Sequence, residues 1–169
     1  GAMRVDWQPS FKPQVLVDAG GTDFPTTTDA EGNVWNNFQG AVGQTDDGSL
    51  NGLVAINGKD TGFGIQMITR FNGVNQAGTT ESAPYPTTAT QDSMFGNTEE
   101  WSGLIDVFPS FQLTGLDTSN SYDITFYGSR NATDNRETQY TITGTGESIV
   151  LLNVAGNIET KAVAEGVKP

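Results

Sequence analysis

The sequence contains neither cysteine nor histidine. Without cysteine it cannot form a disulfide framework or a thiolate metal site. Without histidine it cannot build a Ser-His-Asp triad, and zinc or non-haem iron would lack the imidazole ligands that those metals usually have. Any metal would therefore be held by oxygen atoms, which favours calcium. Catalysis is not excluded, because carboxylates and tyrosines remain.

Basic residues are also scarce: 8 Lys and Arg stand against 20 Asp and Glu, for a formal net charge of -12. Such a surface repels phosphate backbones and anionic lipids, so we expect neither a nucleic acid nor a membrane as a partner. No apolar run reaches the roughly 18 residues of a membrane span. Low charge density with 21 Gly is typical of extracellular β modules, and we expect an exported, bacterial protein.

Helical periodicity is missing, whereas strand patterns recur along the chain. Residues 122–126 alternate strictly between apolar and polar, and residues 140–142 repeat the pattern. Residues 15–17 and 63–71 are further strand candidates. Residues 149–152 form a continuous apolar run, which predicts a strand covered on both sides. About eight short strands joined by turns predict an all-β fold, either a β-sandwich or a jelly roll.

The chain length fits one domain, which we place at residues 15–169. Gly1-Ala2-Met3 resembles the remnant of a cleaved tag, so residues 1–14 are interpreted as this remnant and a lead-in. Residues 72–100 and 128–137 resist strand assignment and are predicted to be long loops, apart from one possible helical turn at residues 92–95.

Trp35, Asn36 and Asn37 are the first candidates for ligand binding. An indole beside two side-chain amides offers an apolar plate with directional donors and acceptors, which suits the C–H faces and hydroxyl groups of sugars. The alternative is that Trp35 is a core residue and the asparagines cap a turn.

A second candidate group lies in the polar loop after the best strand, at one rim of the predicted sandwich. Its members are Arg130, Asn131, Asp134, Asn135 and Arg136. Guanidinium groups bind vicinal hydroxyls or carboxylates well. The alternative is that the two arginines pair with neighbouring carboxylates and fix the loop.

Tyr85 stands between two prolines, which predicts a stiff, exposed ring that could stack on a ligand at low ordering cost. Trp7 and Trp101 are interpreted as core or staple residues rather than ligand contacts.

Several carboxylates fall in predicted loops, and Asp18, Asp23 and Asp29 are the candidate ligands for a structural calcium ion. The spacing of an EF-hand is absent, so no specific calcium motif supports this hypothesis. A pair of carboxylates could also serve a glycosidase, but the sequence does not select a pair.

Five segments resemble galactose-binding-like jelly-roll domains, which occur as carbohydrate-binding modules in secreted bacterial polysaccharide-degrading proteins. These segments are residues 15–21, 32–37, 89–95, 113–116 and 122–130. The resemblance implies glycan binding through loop aromatics, often a structural calcium ion, and a place in a larger multi-domain protein.

Three functions are therefore weighed. The first is a non-catalytic carbohydrate-binding module that recognises a polysaccharide or oligosaccharide. The second is a structural or adhesive spacer module of a surface protein, which predicts that Trp35 and Trp101 are both buried. The third is an enzyme that cleaves polysaccharides with carboxylates or with tyrosine and arginine side chains.

Overall fold

The computed structural model describes residues 1–8, 14–80, 84–156 and 161–169. The elements in chain order are β1 Ala2–Gln8, β2 Gln14–Gly20, β3 Trp35–Gln39, α1 Gly40–Gly43, β4 Ser49–Val54, β5 Asp60–Thr69, β6 Gly73–Asn75, α2 Thr87–Thr90, β7 Ser93–Phe95, β8 Ser110–Thr114, β9 Ser121–Tyr127, β10 Glu137–Thr143, β11 Glu147–Asn153 and β12 Ala162–Val167. The chain is therefore all-β, as predicted, and its several sheets are consistent with a β-sandwich. In the part of the chain described, no helix has the length and apolar character needed to cross a membrane.

The largest sheet has five strands in the order β12-β9-β1-β2-β3. β1 lies in its middle and runs antiparallel to both neighbours, with Val5 opposite Val15 and Ile124. The sequence predicts that residues 1–14 stand outside the domain, whereas the structure places residues 2–8 in this central strand. Alternation explains the difference, because Met3 and Val5 supply apolar side chains to one face of the sheet.

The remaining strands pair as β4-β5-β8, β10-β11 and β6-β7. Their inward side chains and those of the five-stranded sheet form one hydrophobic core. Ring contacts join the layers at these centroid distances: Phe38–Phe111 at 6.3 Å, Phe63–Tyr122 at 6.1 Å, and Phe126–Tyr140 at 4.0 Å with nearly parallel planes. The core therefore lies between the five-stranded sheet and the strands that face it.

A second apolar cluster contains Leu16 and Trp35, which pair across β2 and β3, together with Tyr127. These side chains alternate with core residues, so they lie on the outer face of the five-stranded sheet. Ala89 of α2 and the half-buried Tyr85 pack against them. The segment from Tyr85 through α2 thus covers part of that face.

The apolar run at residues 149–152 forms a strand, β11, but it is covered on one side only. Leu152 is buried and Val150 is half-buried against the core, whereas Ile149 and Leu151 are each 55% exposed. The prediction of burial on both sides was wrong, because apolar composition indicates a strand without indicating how many layers cover it.

The region predicted as one long loop, residues 72–100, contains the antiparallel pair β6-β7. Residues 93–95 belong to β7, so the predicted helical turn there was wrong. The helical turn of this region is α2, which begins directly after Pro86. Proline restricts φ to values that suit the start of a helix, which explains this position.

Candidate functional site

Trp35 and Tyr85 are both parts of the outer-face cluster. Trp35 is 4% exposed, and its indole N–H donates a hydrogen bond to Asp29 at 3.1 Å. The half-buried ring of Tyr85 makes edge contacts with Trp35 at 5.5 Å and with Tyr127 at 5.4 Å. Lys161 Nζ lies 5.8 Å from the Tyr85 ring centroid. Trp35 is thus a packed residue. Tyr85 was predicted to be exposed, whereas its ring packs between those of Trp35 and Tyr127.

Asn36 and Asn37 are used inside the fold. Asn36 donates to the carbonyls of Leu16 and Val54 at 3.0 and 2.9 Å and accepts from the Val54 N–H at 2.8 Å. Asn37 donates to the Thr26 carbonyl at 2.8 Å and accepts from the Thr26 N–H at 2.9 Å. Because these bonds hold β3 to its surroundings, both amides serve as structural ties.

The three predicted calcium ligands do not converge. Asp18 is 3% exposed and accepts hydrogen bonds from the Thr26 N–H and hydroxyl. Asp23 is exposed and accepts from Gln76 at 2.7 Å. Asp29 lies beside Trp35, where bonds from Asn33, Trp35 and Glu31 hold the pKa of its carboxyl below the usual value despite some burial. Across the described residues, no group of three or more acidic side chains could hold a metal ion.

Asp18 instead lies near Asp92, which is 1% exposed and also feels the charge of Asp23. Burial raises the pKa of Asp18 to about 6, against the opposing effects of the Gly1 amino group and of Thr26. Burial likewise raises the pKa of Asp92. One oxygen of each carboxylate is buried without a hydrogen-bond partner. The Gly1 amino group donates to the Asp92 carbonyl, and burial lowers the pKa of this amino group to about 6 against the opposing charges of Asp18 and Asp92.

The loop of residues 128–136 lies at the end of the sandwich where β9 ends. Its backbone is anchored by Arg130 N–H to Val154 and by Asn131 N–H to Ala77, at 2.7 and 2.6 Å. The exposed side chain of Arg136 forms a hydrogen bond of 3.2 Å and a salt bridge of 2.9 Å with the exposed carboxylate of Asp134. The hydrogen bond from Arg136 lowers the pKa of Asp134. The predicted pairing of Arg136 with a nearby carboxylate is thus confirmed.

The side chains of this loop differ in accessibility. Asn131, Asp134, Asn135 and Arg136 are exposed, whereas Arg130 is half-buried. One terminal nitrogen of Arg130 is buried without a hydrogen-bond partner. The loop therefore presents two amides and one ion pair to solvent.

Beyond these predicted residues, an exposed β-hairpin projects between β7 and β8, which we call the Trp101 hairpin (residues 97–107). At its tip, Trp101 and Leu104 exchange both backbone hydrogen bonds, at 2.8 and 3.0 Å. Ser102 and Gly103 between them have φ values of 54° and 78°. Positive φ at both central residues is the mark of a type I′ turn, the tightest connection that matches strand twist. Asn97 and Val107 exchange a second pair of bonds at the base.

Apolar side chains crowd this hairpin, yet they face water. Trp101 is 62% exposed, Ile105 62% and the adjoining Phe108 64%, while Leu104 is 39% exposed. Trp101 touches the fold through an edge contact with Phe95 at 6.3 Å. Several exposed apolar side chains this close together in a folded chain are candidates for a binding surface.

The charge around this surface has one sign. Residues 97–107 contain Glu99, Glu100 and Asp106 and no lysine or arginine. All three carboxylates belong to exposed residues. The hairpin therefore combines an aromatic surface with negative charge.

β6 connects the Trp101 hairpin with the loop of residues 128–136. At one end of β6, the Asn72 side chain bonds the Trp101 carbonyl; just beyond the other end, the Ala77 carbonyl bonds Asn131. Five residues of extended chain span at most about 18 Å. Phe63 near the start of β5 contacts Tyr122 near the start of β9, and β8 runs antiparallel to β5. The end of β9, which leads into the loop, and the start of β8, which follows the hairpin, therefore lie at the same end of the sandwich.

The Trp101 hairpin was not predicted from the sequence, and the exposure of Trp101 contradicts the packed role predicted for it. A signal was present, because Ser-Gly between Trp101 and Leu104 is a turn pair between two apolar residues. The cluster of Trp101, Leu104, Ile105 and Phe108 in a polar stretch was a further sign.

Comparison with known proteins gives no relative: no protein family, no curated protein and no solved structure matches this chain.

Proposed function

We propose that this chain is a non-catalytic carbohydrate-binding module that binds a polysaccharide at the end of the sandwich formed by the Trp101 hairpin and the loop of residues 128–136. The observation that carries the proposal is the 62% exposure of Trp101 on a tightly bonded hairpin. The finer fold type, a galactose-binding-like jelly roll, and a place in an exported multi-domain protein belong to the same proposal.

An exposed indole supports glycan binding for a physical reason. Sugars present C–H groups on their ring faces, and an aromatic plate buries those groups while leaving the hydroxyls at the rim hydrated. Because the hairpin is held by two backbone-bonded pairs, little conformational freedom is lost when a ligand binds. Phe108, which is 64% exposed, offers a second ring nearby in sequence.

The polar groups of the loop support the same proposal. Asn131 and Asn135 present amides to solvent, and Arg136 and Asp134 form a fixed fork of donors and acceptors. Such groups give direction to a ligand that stacking alone would leave free to slide. Since Trp35, Asn36 and Asn37 are used inside the fold, the proposed site contains none of them.

The test is native affinity-gel electrophoresis in gels that contain xylan, galactomannan, laminarin, hydroxyethyl cellulose, alginate or pectin. We expect at least one polysaccharide to retard the wild-type protein and Trp101→Ala to abolish most of that retardation. Ile149→Ala is the matched control, because Ile149 is an apolar residue on β11 with a similar exposure of 55%. It should be retarded like the wild type.

Two outcomes would count against the proposal: no retardation by any of the polysaccharides, or equal retardation of wild type and Trp101→Ala. Incubation with the same polysaccharides, followed by assays for reducing ends and unsaturated uronates, tests the enzyme hypothesis separately. Release of either product would replace the non-catalytic proposal.

A second candidate function, an adhesive module that binds another protein, is favoured by the aliphatic part of the surface. Ile68 is 60% exposed, and the pairing of β5 with β8 brings it near Ser110, two residues after Phe108. Aliphatic side chains give sugars no stacking face, whereas protein interfaces use them routinely. Ile68→Ser should leave glycan binding unchanged under the first proposal; loss of adhesion to a protein partner in both Ile68→Ser and Trp101→Ala would favour the second.

A further inference from the structure

We propose that Asn97 and Asn72 are positioning residues whose hydrogen bonds hold Trp101 in the position in which it binds its ligand. This inference rests on the proposed binding role of Trp101 and concerns what keeps that role possible. Neither asparagine belongs to the exposed surface itself, since Asn72 is 6% exposed and Asn97 is half-buried.

The Asn97 side chain ties the two arms of the hairpin together. Its amide nitrogen donates to the Glu99 carbonyl at 2.6 Å on the first arm and to the Leu104 carbonyl at 2.9 Å on the second. Its amide oxygen accepts from Asn72 at 2.5 Å. One side chain thus satisfies backbone groups on both sides of the turn that carries Trp101.

Asn72 then connects this unit to the body of the sandwich. Its side-chain nitrogen also donates to the Trp101 carbonyl at 3.1 Å. Its backbone N–H donates to the Phe95 carbonyl, and its carbonyl accepts from Gln44, both at 2.9 Å. The chain of bonds therefore runs from Phe95 of β7 and from Gln44, which follows α1, to the backbone of Trp101.

An isolated two-stranded hairpin is only marginally stable in water. The Trp101 hairpin has two backbone-bonded pairs of its own, and the two asparagines add four side-chain bonds. Without them the tip would sample many arrangements, and a ligand would have to order it on binding. Immobilising one or two rotamer-rich side chains corresponds to a loss of affinity of about 5- to 10-fold.

The experiment compares wild type, Asn97→Ala, Asn97→Asp and Asn72→Ala, each labelled with 5-fluorotryptophan. Trp101→Phe assigns the ¹⁹F resonance of Trp101, and the resonance of buried Trp35 reports on the fold. Asn97→Asp keeps the acceptor for Asn72 but loses both donors to the hairpin. Asn57→Ala is the control, because exposed Asn57 makes one local hydrogen bond to the Lys59 N–H.

We expect the Trp101 resonance of the Asn97 and Asn72 variants to move toward the shift of unfolded chain and to sharpen, while the Trp35 resonance stays in place. Retardation by the polysaccharide that binds wild type most strongly should weaken about 5- to 10-fold. An unchanged Trp101 resonance in folded Asn97→Ala or Asn97→Asp would overturn the inference. If Trp101→Ala binds like wild type, the proposed function fails instead, and the ¹⁹F result still decides whether the asparagines position Trp101.

Discussion

Replacing Trp35 and Trp101 by alanine, one at a time, distinguishes a buried indole from an indole exposed for binding. Trp35 is 4% exposed, whereas Trp101 is 62% exposed. A whole tryptophan has an area of about 250 Å² to bury. At about 25 cal/mol per Å², the buried part corresponds to about 6 kcal/mol for Trp35 and about 2.4 kcal/mol for Trp101, both upper limits.

Alanine retains part of this burial, so the expected losses of unfolding free energy are smaller. Trp35→Ala should lose about 3–5 kcal/mol, as is usual for a large side chain removed from a packed site. It also removes the indole N–H that bonds Asp29. Trp101→Ala should lose about 1 kcal/mol, because most of its ring already faces water.

Urea unfolding followed by circular dichroism at pH 7 measures both losses. In a protein of this size, each kcal/mol corresponds to about 2–4 °C of melting temperature, which gives an independent check. The slope of unfolding free energy against urea should be the same in all three proteins. If Trp101→Ala proved as destabilising as Trp35→Ala, Trp101 would be a structural residue and not part of a binding surface.

Three further perturbations have defined outcomes. Burial raises the pKa of Tyr140 to about 12, so its neutral hydroxyl favours the folded state below pH 10, and that stability is lost as the pH rises through 12. Relative to Tyr140→Phe, the free energy of unfolding of wild type, measured in urea, should therefore fall by about 1.4 kcal/mol between pH 8 and pH 11. A constant difference between the two proteins would contradict this. In the hairpin turn, Ser102→Asn should slow amide hydrogen exchange at the tip, because asparagine is favoured at positive φ in a type I′ turn. Gly103→Ala should make this exchange faster, because alanine disfavours positive φ and lowers the local stability of the turn by about 1 kcal/mol. Calcium binding at the predicted ligands stays a prediction: excess Ca²⁺ should raise the melting temperature of wild type but not of Asp18→Asn, and an unchanged wild-type value would speak against it.

Fold class was predictable from the sequence because alternation is a local property. Residues 122–126 alternate strictly, and they lie within β9 with their apolar side chains buried. β11 was predictable as a strand, but the exposure of Ile149 and Leu151 depends on which layer lies above them. β1 was missed because its place in the sheet depends on pairing with β9, far away in the chain.

The candidate site was harder to predict, because local composition does not reveal what covers a side chain. Trp35 and Trp101 each stand among polar residues, yet Trp35 is packed by Tyr85, which is distant in sequence. The pairing of Arg136 with Asp134 was predictable, since the two residues are neighbours on one loop. The bond between Asn72 and Asn97 joins the residue before β6 to the hairpin after β7, and the sequence did not indicate that β6 and β7 pair.

The central position of β1 also determines when the largest sheet can form. Gln8 pairs with Ser121 and Ala2 with Tyr127. One edge of β1 therefore pairs with β9, which is synthesised more than a hundred residues later. At about 5–20 residues per second, a ribosome needs several seconds to make the intervening chain. Pairing across such a separation has a large loop-closure entropy and slows folding. Until β9 emerges, one edge of β1 is open to pairing with other chains, so aggregation during synthesis competes directly with closure of this sheet.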